Sequence, residues 1–144
     1  MPLMDKELTA YIVAFIATLA LIYYTADASA EDHTQRPGYP VWQTTCTRSQ
    51  MCTPGWSATV RPPGYWTNQV KHLWLPEGGV MSDYELDHNG PIVLCGAPKD
   101  KNNLWLQLWH DARKKDAVEN KAHKDYCAGR ITLKQAQQRV EEWR

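Results

Sequence analysis

An uncharged apolar run at the N-terminus restricts the soluble fold to the residues that follow it. From Leu8 to Ala26, nineteen consecutive residues carry no charge, and a run of this length can cross a bilayer as a helix. It is followed by Ala28-Ser29-Ala30, and small residues in this pattern are typical of signal-peptidase cleavage. The segment before the run is not positively charged as in a standard signal peptide. We therefore expect residues 1–30 to be either a signal peptide or a transmembrane anchor.

Both interpretations predict that residues 31–144 lie outside the cytoplasm. The protein would be anchored in the membrane through residues 8–26 if these are not removed, and secreted or periplasmic if they are. Residues 31–45 include two prolines and show no apolar period, which predicts a linker. The remaining residues, 46–144, are enough for one modest domain.

Export gives the four cysteines a structural meaning. Cys46, Cys52, Cys95 and Cys127 are an even number, and thiols in an oxidising compartment are expected to form disulfides. Four cysteines allow three pairings, and their spacing does not choose among them. There is no Cys-x-x-Cys pair, so the strongest signal for a zinc ribbon is missing.

An Asp-His pair followed by an asparagine indicates hydrolytic chemistry that uses a metal. Asp87 precedes His88 directly, and Asn103 follows in Asn102-Asn103-Leu104-Trp105. A carboxylate can hold a divalent cation, an imidazole can activate water, and an amide can fix the intervening loop. Successive side chains of a strand point to opposite faces, so both roles require the backbone to bend at this pair.

A polar helix face after this pair offers further ligands. The pattern from Ala112 to Tyr126 predicts a helix with Asp116, Glu119, Asn120 and His123 on one face. The alternative is a solvated face whose acids pair with neighbouring lysines. The formal net charge of the chain is zero, which argues against a general polyanion binder.

The remaining segments give shorter predictions. Val41–Thr45 and Trp56–Val60 are compatible with β-structure. Thr67 is positioned to cap a short helix that ends near Trp74, and Thr132 with Gln135 forms a capping box at the start of a last helix.

Several motifs in order resemble small exported bacterial and phage proteins of the HNH, or ββα-metal, endonuclease type. The resemblance covers roughly residues 50–144. The motifs are Cys52-Thr-Pro-Gly-Trp56, Val60-Arg61-Pro62, Tyr84-Glu85-Leu86-Asp87-His88, Gly96-Ala97-Pro98, Asn103-Leu104-Trp105, Lys115-Asp116-x-x-Glu119-Asn120-x-x-His123 and Cys127-x-Gly129-Arg130-Ile131-Thr132-Leu133.

The resemblance implies an α+β fold, in which an N-terminal hydrophobic helix precedes a small disulfide-stapled domain with a ββα-metal core and C-terminal helices. His88 would be the general base, with Asn103 beside it, and Asp87 would bind one divalent metal ion, either Mg, Mn or Zn. His123 is the favoured second ligand because the motif carries it, and Asn120 and Glu119 are its rivals. Glu119 and Glu85 are expected to support the ligands.

The sequence departs from this pattern beside the Asp-His pair. Asn89-Gly90 stand before Pro91, where the family usually has apolar residues, and Cys95 replaces the first glycine of a Gly-Gly pair. Asn-Gly favours a tight turn, which would re-aim the hairpin. Cys95 also supplies a partner for Cys46, which the family pattern leaves unexplained. We therefore predict the disulfides Cys46–Cys95 and Cys52–Cys127.

Two functions follow as hypotheses. The first is a metal-dependent endonuclease that hydrolyses phosphodiester bonds of DNA or RNA outside the cytoplasm. The second is a non-catalytic binding or structural domain derived from the HNH fold, disulfide-stabilised and extracytoplasmic or membrane-anchored.

Overall fold

The computed structural model describes Phe15 and residues 32–143. The predicted signal peptide or anchor over residues 1–30 therefore lies outside the described residues, except for Phe15. Within the described part of the chain, no helix has both the length and the apolarity needed to cross a membrane. The chain divides into two compact units, Met1–Asp32 and His33–Arg144, and all the structure below belongs to the second.

The second unit is a small α+β domain with a two-stranded sheet and two disulfides, which confirms the fold class at this level. In chain order, its described helices and strands are α1 (Arg48–Met51), α2 (Trp56–Val60), α3 (Gly64–Trp74), β1 (Tyr84–His88), β2 (Leu104–Leu108), α4 (Trp109–Cys127) and α5 (Leu133–Glu141).

The two strands form an antiparallel pair that leads directly into the long helix. Tyr84 lies opposite Leu108, and His88 lies opposite Leu104. Trp109 begins α4 immediately after β2 ends, so the helix packs back against both strands. Because side chains alternate along a strand, Glu85 and Asp87 share one face of β1. This order places the end of β1 next to α4.

The apolar core lies between α1, α4, α5 and the loop that connects the two strands. Its buried members are Met51, Leu94, Cys95, Ala122, Tyr126, Ala136 and Val140. Both disulfides border this core. Cys46 pairs with Cys95 and Cys52 with Cys127, at Cα–Cα distances of 5.8 and 5.5 Å, which confirms the predicted pairing.

The segment predicted as a linker, residues 31–45, belongs to the compact unit from His33 onward. The His33 carbonyl accepts a hydrogen bond from the Leu106 amide at 2.7 Å. Trp42 forms an isolated β-bridge with Gly96, and its Nε1 donates to Glu141 at 2.8 Å. Prolines interrupt any apolar period in this segment, but its backbone hydrogen bonds and the Trp42 ring attach it to the domain.

Local structure differs from the predictions in two segments. Trp56–Val60 is helix α2 rather than a strand, because β-propensity is easily overridden by packing. Helix α3 begins at Gly64, directly after Pro63, and Thr67 lies inside it, where its hydroxyl donates to the Gly64 carbonyl at 3.0 Å. Helix α5 begins as predicted, with the complete capping box at Thr132.

Candidate functional site

A cavity of about 240 Å³ lies where the end of β1 faces α4. It brings together side chains from α2, β1, α4 and the inter-strand loop. Four of these are carboxylates, and they are joined by an imidazole, an amide, a hydroxyl and a guanidinium. The polar lining residues are Glu85, Asp87, Asp116, Glu119, His88, Asn120, Ser57 and Arg61.

One ring nitrogen of His88 is hydrogen-bonded to the protein backbone. Its Nε2 lies 3.0 Å from the Pro98 carbonyl oxygen, and because a carbonyl only accepts, Nε2 carries the proton. Nδ1 is therefore the acceptor nitrogen of a neutral ring. Burial lowers the pKa of His88 from its ordinary value of 6.5. A neutral, oriented imidazole that lines a cavity is suited to take a proton from water.

Asp87 is fixed through both carboxylate oxygens. Oδ1 accepts the His88 amide at 2.8 Å, and Oδ2 lies 2.8 Å from the ammonium of Lys115. The first contact sets the backbone at the strand end, where the side chains of Asp87 and His88 line one cavity although they are neighbours on a strand. The predicted Asp-His pair is thus brought together.

Lys115 is the centre of this arrangement, although the motif reading gave it no role. Its side chain is 1% exposed. Nζ also donates to the His88 carbonyl at 2.7 Å and to a carboxylate oxygen of Glu119. Burial alone would lower the pKa of Lys115, but the carboxylates of Asp87 and Glu119 outweigh it and raise that pKa. The ammonium therefore stays charged between β1 and α4.

The other carboxylates of the cavity, Glu85, Asp116 and Glu119, are destabilised in their charged form by burial and by repulsion from neighbouring carboxylates. Burial first, then repulsion from Asp87 and Asp116, raises the pKa of Glu85 to about 7. Burial and Asp87 also raise the pKa of Asp116. For Glu119, burial outweighs the attraction of Lys115 and the pKa is again raised. Such a cavity favours an additional cation, because a positive charge relieves this repulsion.

Asn103 fixes the loop beside the site, as its predicted pinning role requires. It is fully buried. Its Oδ1 accepts the amides of Val41 and Gly90 at 3.0 and 2.8 Å, and its Nδ2 donates to the carbonyls of Gly90 and Ala97, both at 2.9 Å. With these four bonds the side-chain amide is held by the loop backbone, which gives Asn103 a positioning role.

Asn89-Gly90 do not form the tight turn that we expected. The Asn89 amide still bonds to the Asn103 carbonyl at 2.7 Å, so pairing continues one residue past β1. Gly90 does not have a positive φ. A Cβ there would lie 2.9 Å from atoms of Pro40 and Trp42. Gly90 is thus needed for close packing against the N-terminal segment.

Cys95 has a backbone conformation that is rare for a residue other than glycine. Its φ is 72°, in the left-handed region that glycine adopts most easily. Here the side chain is bonded to Cys46, and the Cys95 carbonyl accepts the Gln43 amide at 2.8 Å. The disulfide therefore fixes the loop at this left-handed residue.

The predicted metal ligands Asp87, Asn120 and His123 do not converge. Asp87 and Asn120 line the cavity, whereas His123 does not. His123 Nε2 donates to the Met51 carbonyl at 2.8 Å, beside Cys127. The helical rise explains this correction, because a residue seven positions after Asp116 lies about 10 Å further along the axis. α4 carries His123 past the site and into the disulfide region.

His123 belongs to a different cluster with metal-ligating atoms. The ligand atoms of Cys52, His123 and Cys127 all lie within 4.8 Å of one another, the one such group of three or more His, Cys, Asp or Glu side chains among residues 32–143. Both sulfurs are joined in a disulfide, and a metal binds thiolates. In the oxidised protein only the imidazole remains as a ligand.

Oxygen donors in the cavity fit a hard divalent cation better than zinc. The donors that line it are the carboxylates and the Asn120 amide, and oxygen ligands suit Mg²⁺ or Mn²⁺. Mg²⁺ commonly binds through one or two carboxylates and keeps several waters, so it does not require three converging side chains. Glu85 and Asp116 are the carboxylates best placed for this, because Lys115 already occupies Asp87 and Glu119.

Motif reasoning missed two residues, Lys115 behind the cavity carboxylates and Arg61 on the cavity lining. Lys115 is spaced with Ala112, Ala122 and Tyr126 along the buried stripe of α4, and a lysine at such a core position is the signal that could have revealed it. Arg61 belongs to the Val60-Arg61-Pro62 motif, but no function was predicted for its side chain. It lines the cavity from the end of α2, and no sequence pattern indicated that proximity.

Comparison with known protein families, with curated proteins and with solved structures gives no significant match to this chain. The function is therefore inferred from the geometry of the cavity.

Proposed function

We propose that the domain is a metal-dependent endonuclease of the ββα-metal type, which hydrolyses phosphodiester bonds of DNA or RNA outside the cytoplasm. The observation that carries this proposal is the setting of His88. Its imidazole is neutral and oriented by the Pro98 carbonyl, and it shares an acidic cavity with Asp87. A general base next to carboxylates that attract a cation is the arrangement required by phosphodiester hydrolysis.

His88 supplies the proton-transfer step. Nδ1 takes a proton from a water molecule, the water oxygen forms a bond to phosphorus, and the bond from phosphorus to the leaving oxygen breaks. The leaving oxygen then takes a proton from solvent. Asp87 holds the His88 amide and so keeps the ring at the cavity. A divalent ion, when held by Glu85, Asp116 and Asn120, would stabilise the negative charge that develops on the phosphate oxygens.

Arg61 provides a cation at the rim of this acidic cavity. It is exposed, and its guanidinium has no ion pair within the described residues. Guanidinium groups bind phosphate through two parallel hydrogen bonds. An acidic cavity alone would repel a phosphodiester. Arg61 is thus suited to attract this group and to orient it over His88.

The two disulfides are consistent with an extracytoplasmic location, because disulfides persist in oxidising compartments. Both pack on the apolar core, and Cys46–Cys95 fixes the loop between the strands. In a secreted or anchored enzyme, the disulfides would stay oxidised and would keep the site assembled.

The test is cleavage by the purified oxidised protein. Supercoiled plasmid and single-stranded RNA are incubated with Mg²⁺, Mn²⁺, Zn²⁺ or a chelator, and His88→Ala is compared with His110→Ala. His110 is a matched control, because its side chain is 78% exposed and pairs only with Asp111 at the surface. Cleavage that requires metal, fails in His88→Ala and persists in His110→Ala supports the proposal. Equal inertness under all conditions contradicts it.

A second candidate function is a non-catalytic binding domain, and one observation favours it. Lys115 pairs with Asp87, the carboxylate expected to hold the metal. In this reading the cluster only stabilises the fold. The plasmid and RNA assay separates the two functions, because a binding domain would retain nucleic acid or another partner without cutting any substrate.

A further inference from the structure

The ammonium of Lys115 lies in a pocket of oxygen ligands that resembles a cation site. Asp87 Oδ2 lies at 2.8 Å and the His88 carbonyl at 2.7 Å, and a Glu119 carboxylate oxygen is also in contact. Two carboxylates and a backbone carbonyl are ligands typical of Mg²⁺ and Ca²⁺. The pocket joins the end of β1 to the middle of α4.

Fold stability alone does not account for a charge at this position. Burying a lysine with two carboxylates carries a desolvation cost, and apolar residues of similar size often serve stability as well or better. The other buried side chains of α4 are the uncharged Ala112, Ala122 and Tyr126 and the carboxylates Glu119 and Asp125, and Glu119 is one of the two carboxylates that pair with Lys115. A cation at this point instead holds the Asp87 carboxylate in place beside His88.

We propose that Lys115 is a resident cation that takes the place of a metal ion in the inner position between β1 and α4. Asp87 and Glu119 therefore do not ligate a divalent ion, and the cavity takes at most one such ion, on its solvent side. The role of this arrangement in catalysis rests on the proposed function. The number and position of the bound ions can be measured whether or not the protein is a nuclease. The geometry of Asp87 and His88 is then independent of metal.

Ion binding by variants tests the proposal. Mn²⁺ is titrated into the oxidised protein by calorimetry, with Lys115→Ala and Lys115→Met compared with the native chain. We expect at most one ion in the native protein. Lys115→Ala, which empties the inner position, should bind one ion more and gain thermal stability with Mn²⁺. Lys115→Met fills the same space without charge and should not gain an ion.

A further variant assigns the additional ion to the inner position. Combining Lys115→Ala with Asp87→Asn removes a carboxylate of the inner position and should abolish the extra ion. If Lys115→Ala binds no more Mn²⁺ than the native protein, or if the extra ion persists without the Asp87 carboxylate, the proposal is overturned.

The native protein provides a test that does not depend on whether the variants fold. The Nζ protons of Lys115, buried and hydrogen-bonded, should give slowly exchanging ammonium signals in ¹H–¹⁵N spectra. These signals should persist at saturating Mg²⁺. If Mg²⁺ removes them, the metal displaces Lys115 and the proposal is wrong. A protein that shows the expected ion count and signals but cuts no nucleic acid would contradict only the proposed function.

Discussion

Replacing Asn103 by alanine should unfasten the loop beside His88. Four hydrogen bonds would be lost, namely two buried bonds to Gly90, one buried bond to Ala97 and one part-buried bond to Val41. Each such bond contributes about 1 kcal/mol net, and a stranded buried partner costs more. Some of the stranded groups regain water as the loop loosens. The sum over the four bonds predicts that Asn103→Ala lowers the free energy of unfolding by roughly 3–4 kcal/mol.

The measurement is chemical denaturation of the oxidised protein, with Asn102→Ala as the matched control. Asn102 is the exposed neighbour in the same turn, and its truncation should change stability by less than about 0.5 kcal/mol. The loss in Asn103→Ala is a large part of the stability of a typical domain. If Asn103→Ala and Asn102→Ala are equally stable, Asn103 does not fix the loop and the reasoning fails.

Three further predictions follow from the site and the disulfides. Because the pKa of His88 is lowered and its neutral form is the base, the rate of cleavage should rise with pH with a midpoint below pH 6.5; a rise centred above that value would contradict the assignment. Replacing Cys46 and Cys95 by serine opens a link of sequence separation 49 and should lower the free energy of unfolding by roughly 4 kcal/mol, measured by denaturation; an unchanged midpoint would refute this. His123→Ala should leave the stoichiometry of Mn²⁺ binding to the oxidised protein unchanged, and the loss of a bound ion in calorimetry would return His123 to the site.

The sequence predicted the parts of the site that depend on local pattern. Asp87 and His88 lie at a strand end, because a strand is encoded by neighbouring residues. The capping box at Thr132 is likewise local and appears as predicted. Asn103 holds the loop as the motif predicted, although its partners Val41 and Gly90 lie 62 and 13 residues away in the sequence. The disulfide pairing was also correct, although it was inferred from a resemblance and from the one cysteine left without a partner.

The parts that failed depend on contacts between distant segments. His123 shares a helix face with Asp116, but a face defines direction and not position along the axis, so α4 carries His123 beyond the cavity. Gly90 was interpreted through its neighbour, whereas Trp42 determines its role by packing on it. Lys115 was considered only as a surface ion-pair partner, because lysine is rarely buried without a partner, and the partner Asp87 is on another element.

Hydrolysis of a small phosphodiester tests the central claim most directly. The initial rate of bis(p-nitrophenyl) phosphate hydrolysis is measured with saturating Mn²⁺ for the native oxidised protein, His88→Ala and His110→Ala. A general base contributes on the order of 10²- to 10⁴-fold to the rate, so His88→Ala should lose activity by that factor while His110→Ala retains it. Equal rates in His88→Ala and the native protein, or a rate that a chelator does not change, would contradict a metal-dependent hydrolase with His88 as its base.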